Sequence, residues 1–243
     1  MNCTAWNFSQ YFQTLDPATE VVPSDYLAYR YQRPVPFLYT EDEIRALIRA
    51  AAGLSPSFRA VTYQTLIGLL AATGMRLGEA LRLNLSDVSI AERELTIRFT
   101  KFGKSRIVPV HSTVADALDV YRKHRNAYAY GRPPAESFFL SLRGTRLLDV
   151  VVHKTFRGLV DHVGLAPRGG SGAVRLHGLR HTFTVATIRD WYATGQPVAS
   201  QLPLLSAYLG HVNPMSTYWY LQSTPELLRL AMEHGPQVLK GTR

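Results

Sequence analysis

The chain is short of several things, and each shortage excludes a class of protein. It has one cysteine, Cys3, in 243 residues. No internal disulfide can form, and a reducing compartment is the simplest expectation. No apolar run approaches the roughly 20 residues that span a bilayer. The first ten residues, MNCTAWNFSQ, carry neither a basic nor a long apolar stretch, so no signal peptide is expected and a cytoplasmic location follows. Charged residues make up 19% and hydrophobic residues 46%, which excludes a disordered or fibrous chain. A chain of 27.2 kDa buries a core large enough to need neither disulfide nor metal.

Acidic residues are also scarce, 18 against 27 Lys and Arg, giving a net charge of +9. The excess sits in residues 41–243, with 25 basic and 15 acidic side chains; residues 1–40 carry a net of −1. Lysine is rare too, 5 against 22 arginines. A guanidinium offers a planar fork that meets a phosphate at two points. A polyanion is therefore an expected partner, nucleic acid first. A GC-rich coding sequence on an ordinary surface gives the same composition.

Residues 1–39 read as an appendage and linker, and residues 40–243 as the main domain with a C-terminal tail. Trp6 to Leu15 has Phe8, Tyr11, Phe12 and Leu15 at helical spacing, and four prolines then extend the chain to Thr40. Thr40-Glu41-Asp42-Glu43 fits a capping box. Helices are expected over Phe58–Ala72, from about Leu77, from Ser112 to about Arg125, and over Val150–Val163, Leu179–Tyr192, Leu202–Leu209, Ser216–Leu221 and Glu226–Met232. Glu94–Phe99 and Arg106–Val110 alternate as strands, with Lys101 to Lys104 as their hairpin turn. The fold class is α+β, mainly helical, with a small antiparallel sheet.

Three clusters carry chemistry. In Thr73-Gly74-Met75-Arg76-Leu77-Gly78-Glu79, an arginine lies at a helix junction with a glutamate three residues on; a surface ion pair has the same spacing. In His177-Gly178-Leu179-Arg180-His181-Thr182-Phe183, His177 and Arg180 are one helical turn apart; a capped helix start would look the same. His177 and His181 have the spacing of a zinc helix, but no glutamate follows the first as in H-E-x-x-H, and no metal is expected. Leu209-Gly210-His211 is followed nine residues later by Tyr220, which could equally be a core aromatic.

Taken in order, these clusters and the strand pair around Lys101 resemble the tyrosine recombinases, or phage-type integrases, over roughly residues 40–232. The resemblance implies a catalytic domain that cuts and rejoins DNA at specific sites through a 3′-phosphotyrosyl intermediate, for a mobile element, without ATP or cofactor. It implies that Arg76 and Arg180 hold the phosphate, Tyr220 attacks it, Lys101 protonates the leaving 5′ oxygen, His177 assists proton transfer from the tyrosine, and His211 hydrogen-bonds the phosphate. Glu79 and His181 would support the site; Lys104, Arg106 and Arg175 would touch DNA. Tyr218 is the rival nucleophile and Lys104 the rival to Lys101. The expected partners are double-stranded DNA and further protomers, four on two DNA sites, or a partner recombinase, with residues 235–243 docking on a neighbour; no membrane is expected. Residues 1–39 resemble the end of the helical domain that precedes the catalytic domain in this family. A binding protein without catalysis and a relaxing topoisomerase of the related type are the other readings.

Overall fold

The computed structural model describes residues 2–21, 35–98, 105–211, 217–220 and 225–233. The chain divides into two compact units, Met1–Pro34 and Val35–Arg243. The first contains α1 (Asn2–Leu15), on which Phe8, Tyr11, Phe12 and Leu15 are exposed and the Phe8 and Phe12 rings lie 5.0 Å apart. Residues 35–39, read from sequence as linker, belong to the second unit: Phe37 and Tyr39 are buried in its core, because both are large aromatics in a stretch too apolar to lie in solvent.

The second unit begins with α2 (Glu41–Ala52), capped as its sequence predicts. Thr40 Oγ1 accepts from Glu43 N at 3.2 Å, and Glu43 Oε2 accepts from Thr40 N at 2.8 Å. Helix α3 (Ser57–Thr73) is the central strut and packs on α2, α5 and α7. It ends at Gly74, whose φ of +60° disfavours a side chain. Helix α4 (Leu77–Arg82) follows, then a 3₁₀ turn at Leu85–Asp87.

The sheet is antiparallel in the order β1 (Val88–Ser89), β2 (Glu94–Ile97), β3 (Arg106–Pro109), with Leu95 opposite both Val88 and Val108. Leu95, Ile97 and Val108 point into the core, as the alternation predicts. Strand β1 escaped the sequence reading because two residues carry no pattern. Phe99 and the Lys101–Lys104 turn lie outside the described residues.

Helix α5 (Ser112–Ala129) is capped by His111, whose Nδ1 faces Thr113 N, instead of by Ser112, and runs four residues past Arg125. Arg125 keeps it going: its buried guanidinium donates to the carbonyls of Ala135 and Ser137. Helices α6 (Asp149–Val163) and α7 (His177–Ala193) follow. Helix α8 (Val198–Leu209) starts four residues before the sequence expectation. Pro203 lies inside the helix, where burial of Val198, Leu202, Leu205 and Leu209 outweighs one lost hydrogen bond. A helical turn at 217–220 and α9 (Pro225–Glu233) complete the unit.

Two apolar clusters result. The larger joins α2, α3, α5, α6 and the sheet. The smaller gathers Val185 and Ile188 of α7, the four buried apolar residues of α8, Leu227 and Tyr220. Tyr208 packs against both. Among the described residues no helix is long and apolar enough to cross a membrane.

Candidate active site

The site is built around the end of α8. Gly210 N donates to Ala207 O and His211 N to Ser206 O, the paired bonds of a Schellman stop, with Gly210 at φ +68°. Such a stop leaves the last carbonyls without helical partners. Three consecutive ones are taken by three arginines from three elements. Arg106 Nε of β3 donates to Tyr208 O at 2.8 Å. Arg180 Nη2 of α7 donates to Leu209 O at 2.9 Å. Arg76 Nη2, at the start of α4, donates to Gly210 O at 3.1 Å. The partial negative charge at a helix C-terminus favours this gathering of cations. Gly210 is also required by space: a Cβ there would lie 2.5 Å from Arg106 Nη1.

Glu79 holds two of the three arginines. Its Oε1 accepts from Arg76 Nη1 at 2.9 Å and Arg106 Nη1 at 3.2 Å; its Oε2 accepts from Arg106 Nη2 at 2.9 Å and the Arg76 backbone N at 3.0 Å. Burial pushes this carboxyl upward, but the Arg106 hydrogen bond, the Arg76 N–H and both guanidinium charges outweigh it, so it stays below the usual carboxylate value.

Arg180 is different. It is 2% exposed, and its Nη1 donates to Gly74 O at 2.9 Å, so it fastens the end of α3 to the end of α8. Among the described residues no carboxylate forms an ion pair with it. Burial, and then the Arg76 charge, push it down to about 10. The histidines feel the same field. His177 keeps an exposed edge, yet the surrounding protein and the charges of Arg180 and Arg76 lower it. His211 is pushed down to about 4 by burial, Arg180 and Arg76, then His177 and Arg106. Its Nδ1 lies 2.7 Å from Thr217 Oγ1, which ties it to the helical turn that carries Tyr220. Tyr220 is 3% exposed, and its Oη lies 2.7 Å from His181 Nδ1. Among the described residues the site is thus a compact group of guanidinium cations and three imidazoles beside a phenol, with one carboxylate. It is arranged to take an anion.

A sequence model of the phage integrase family matches residues 38–226. The chain belongs to the phage integrase family. Its relatives include the putative integrase/recombinase y4rB of Sinorhizobium fredii, 40% identical over 230 residues, covering 93% of this chain and 73% of that protein. Tyrosine recombinase XerD of Mycobacterium tuberculosis is 29% identical over 201 residues, covering 81% of this chain and 60% of XerD. The crystal structure of XerA recombinase superposes with a TM-score of 0.66 at 26% identity, covering 85% of this chain and 68% of that one. The protein is a tyrosine recombinase, with the family's activity of site-specific DNA cleavage and rejoining.

In this recombinase the sequence-named residues Arg76, Glu79, His177, Arg180, His181, His211 and Tyr220 come from four separate segments and meet at one place. Lys101 and Lys104 lie outside the described residues. Arg175 is exposed. Arg106, named as a DNA contact, is turned inward: its side chain is 14% exposed and both Nη atoms are on Glu79. A buried carboxylate and a free helix carbonyl draw the guanidinium in more strongly than solvent does. The sequence signal for this inward role was present but faint: a lone arginine opening a strand, with a glutamate far upstream.

Proposed function

We propose that this recombinase cuts and rejoins duplex DNA through a 3′-phosphotyrosyl link on Tyr220. The observation that carries the reading is the unbalanced charge of the site: Arg180 is buried with carbonyl oxygens as its hydrogen-bond partners, beside Arg76 and near the Tyr220 phenol. A phosphodiester entering there supplies the missing anion, and the two guanidiniums stabilise the charge added in a pentavalent transition state. His211, kept neutral by burial and the neighbouring guanidiniums, hydrogen-bonds the phosphate. Lys101 protonates the leaving 5′ oxygen, and His177 serves proton transfer near the tyrosine. Glu79 sets the aim of Arg76. Tyr220 is favoured over Tyr218 by its hydrogen bond to His181.

Storing the phosphodiester energy in a phosphotyrosine lets a second 5′ hydroxyl recover it, so rejoining needs no ATP. The arginines deliver the positive charge that a metal supplies elsewhere. The substrate is double-stranded DNA of a mobile element, held by four protomers on two sites or together with a partner recombinase, in the cytoplasm. The unit from residue 35 to 243 is the catalytic domain, with Arg175 and Lys104 on the DNA.

The test is covalent trapping on supercoiled plasmid that carries the DNA flanking this gene, with chelator and without ATP. A protein–DNA adduct formed by the intact chain and lost in Tyr220→Phe is expected. An adduct that survives Tyr220→Phe, or plasmid binding with no adduct at all, would contradict the proposal, the latter in favour of a protein that only binds DNA.

A further inference from the structure

Thr217 is 0% exposed, and among the described residues its hydroxyl has one hydrogen-bond partner, Nδ1 of His211 at 2.7 Å. A buried hydroxyl proton needs an acceptor, and a buried ring nitrogen needs a partner for its proton or its lone pair. The His211 imidazole is neutral, because burial and the neighbouring guanidiniums lower it, so one of its two nitrogens carries the proton. With that proton on Nδ1, the ring would donate to Thr217 Oγ1 and the hydroxyl's own proton would find no acceptor among the described residues. With it on Nε2, Thr217 donates to the Nδ1 lone pair and both groups are satisfied. The second arrangement also serves the chemistry. A phosphate oxygen accepts hydrogen bonds, so the nitrogen that meets it must present a proton. Thr217 stands three residues before Tyr220 on the same helical turn, so the bond that sets the imidazole also ties it to the turn of the nucleophile.

We propose that Thr217 is a positioning residue for strand cleavage: its hydroxyl donates to Nδ1 of His211 and holds the imidazole in the Nε2–H form that hydrogen-bonds the phosphate. The same bond fixes the imidazole relative to Tyr220, so the phosphate contact and the attacking oxygen are set together. This rests on the reading that His211 meets the phosphate while Tyr220 attacks it. Serine in place of Thr217 keeps the donor. Valine keeps the shape and loses the donor.

The experiment measures single-turnover adduct formation by the full chain on a duplex containing the cleavage site mapped with the wild-type protein. Thr217→Val should slow it about 10- to 100-fold, the rate equivalent of one buried acceptor left unpaired, with duplex binding unchanged. Thr217→Ser should restore most of the rate. His211→Ala should be slow, and adding Thr217→Val to it should cost nothing more, since the hydroxyl acts through the imidazole. A threonine that only supports the fold would slow both backgrounds equally. Equal slowing, a wild-type rate in Thr217→Val, or no recovery in Thr217→Ser would overturn the proposal. Nitrogen NMR of the histidine-labelled wild-type chain, with the His211 signals assigned by their loss in His211→Ala, reads the tautomer even if the valine variant fails to fold. A lone pair on Nδ1 and a proton on Nε2 are expected; a proton on Nδ1 would overturn the assignment. A wild-type rate in His211→Ala, or an adduct persisting in Tyr220→Phe, would instead remove the reading on which it rests.

Discussion

Two helices in this recombinase start on the same device and use it for different ends. At α2 the third helical residue, Glu43, reaches back to the N–H of Thr40, and Arg168 grips its carboxylate from far along the chain. At α4 the third residue, Glu79, reaches back to the N–H of Arg76, and Arg106 grips it. The first arrangement is at the surface: the side chains of Glu43 and Arg168 are 17% and 49% exposed. The second is interior: Glu79 and Arg106 are 2% and 14% exposed. Water can replace any partner in the first. In the second, each lost partner leaves charge with nowhere to go. A common helix start has thereby become the rigid mount of a functional arginine.

The sharpest way to break the comparison is to neutralise each glutamate in turn. Glu79→Gln leaves Arg76 and Arg106 without a counter-charge and should cost about 3–5 kcal/mol in urea unfolding, the usual cost of stripping one partner from a buried pair. DNA adduct formation should fall with it even under conditions where the variant is folded. Glu43→Gln is the control, considered last.

Next in size is Gly210→Ala. The added carbon meets Arg106, and φ there is +68°. Such a residue costs about 1–3 kcal/mol. The loss should show in the unfolding midpoint and, through displaced Arg106, in cleavage rate. A wild-type midpoint would mean that the α8 stop tolerates a side chain and that Arg106 has room to move.

Acid sharpens the contrast further. His211 is pushed down to about 4 in the folded chain, against about 6.5 unfolded. Between those values the unfolded chain binds a proton that folded His211 refuses, so stability falls as pH drops from about 6.5 to 4. His211→Asn removes that contribution. The variant should lose less stability than the wild type between pH 7 and pH 5, measured as urea midpoints. Equal losses would show that His211 is not held neutral.

The smallest effect belongs to Glu43→Gln. A partly exposed pair contributes at most about 1 kcal/mol, so the midpoint should barely move and cleavage should not change.

The two devices were also unequally legible. Thr40-Glu41-Asp42-Glu43 is a capping box by composition, since threonine is a known cap and acids fill the first turn. At α4 the cap residue is an arginine, and spacing alone paired it with Glu79; nothing local announced Arg106. Contacts separated by 27 residues through a strand, or by 102 in the case of Arg106 and Tyr208, leave no periodic trace. The site residues on helices were readable because short motifs keep them one turn apart. The hydrogen bond between His181 and Tyr220 was not, because it joins two elements 39 residues apart. Three helix ends differ by four residues from their sequence expectation: α1 starts at Asn2 and not Trp6, and at α5 and α8 a buried arginine and an apolar face carry the helix beyond its local signals.

The most direct test of the account is to identify the residue that carries DNA. The trapped adduct would be digested with trypsin and nuclease, and the nucleotide-bearing peptide sequenced by mass spectrometry. A nucleotide on Tyr220 is the predicted result. A nucleotide on Tyr218, or on any residue outside the arginine-lined end of α8, would contradict it.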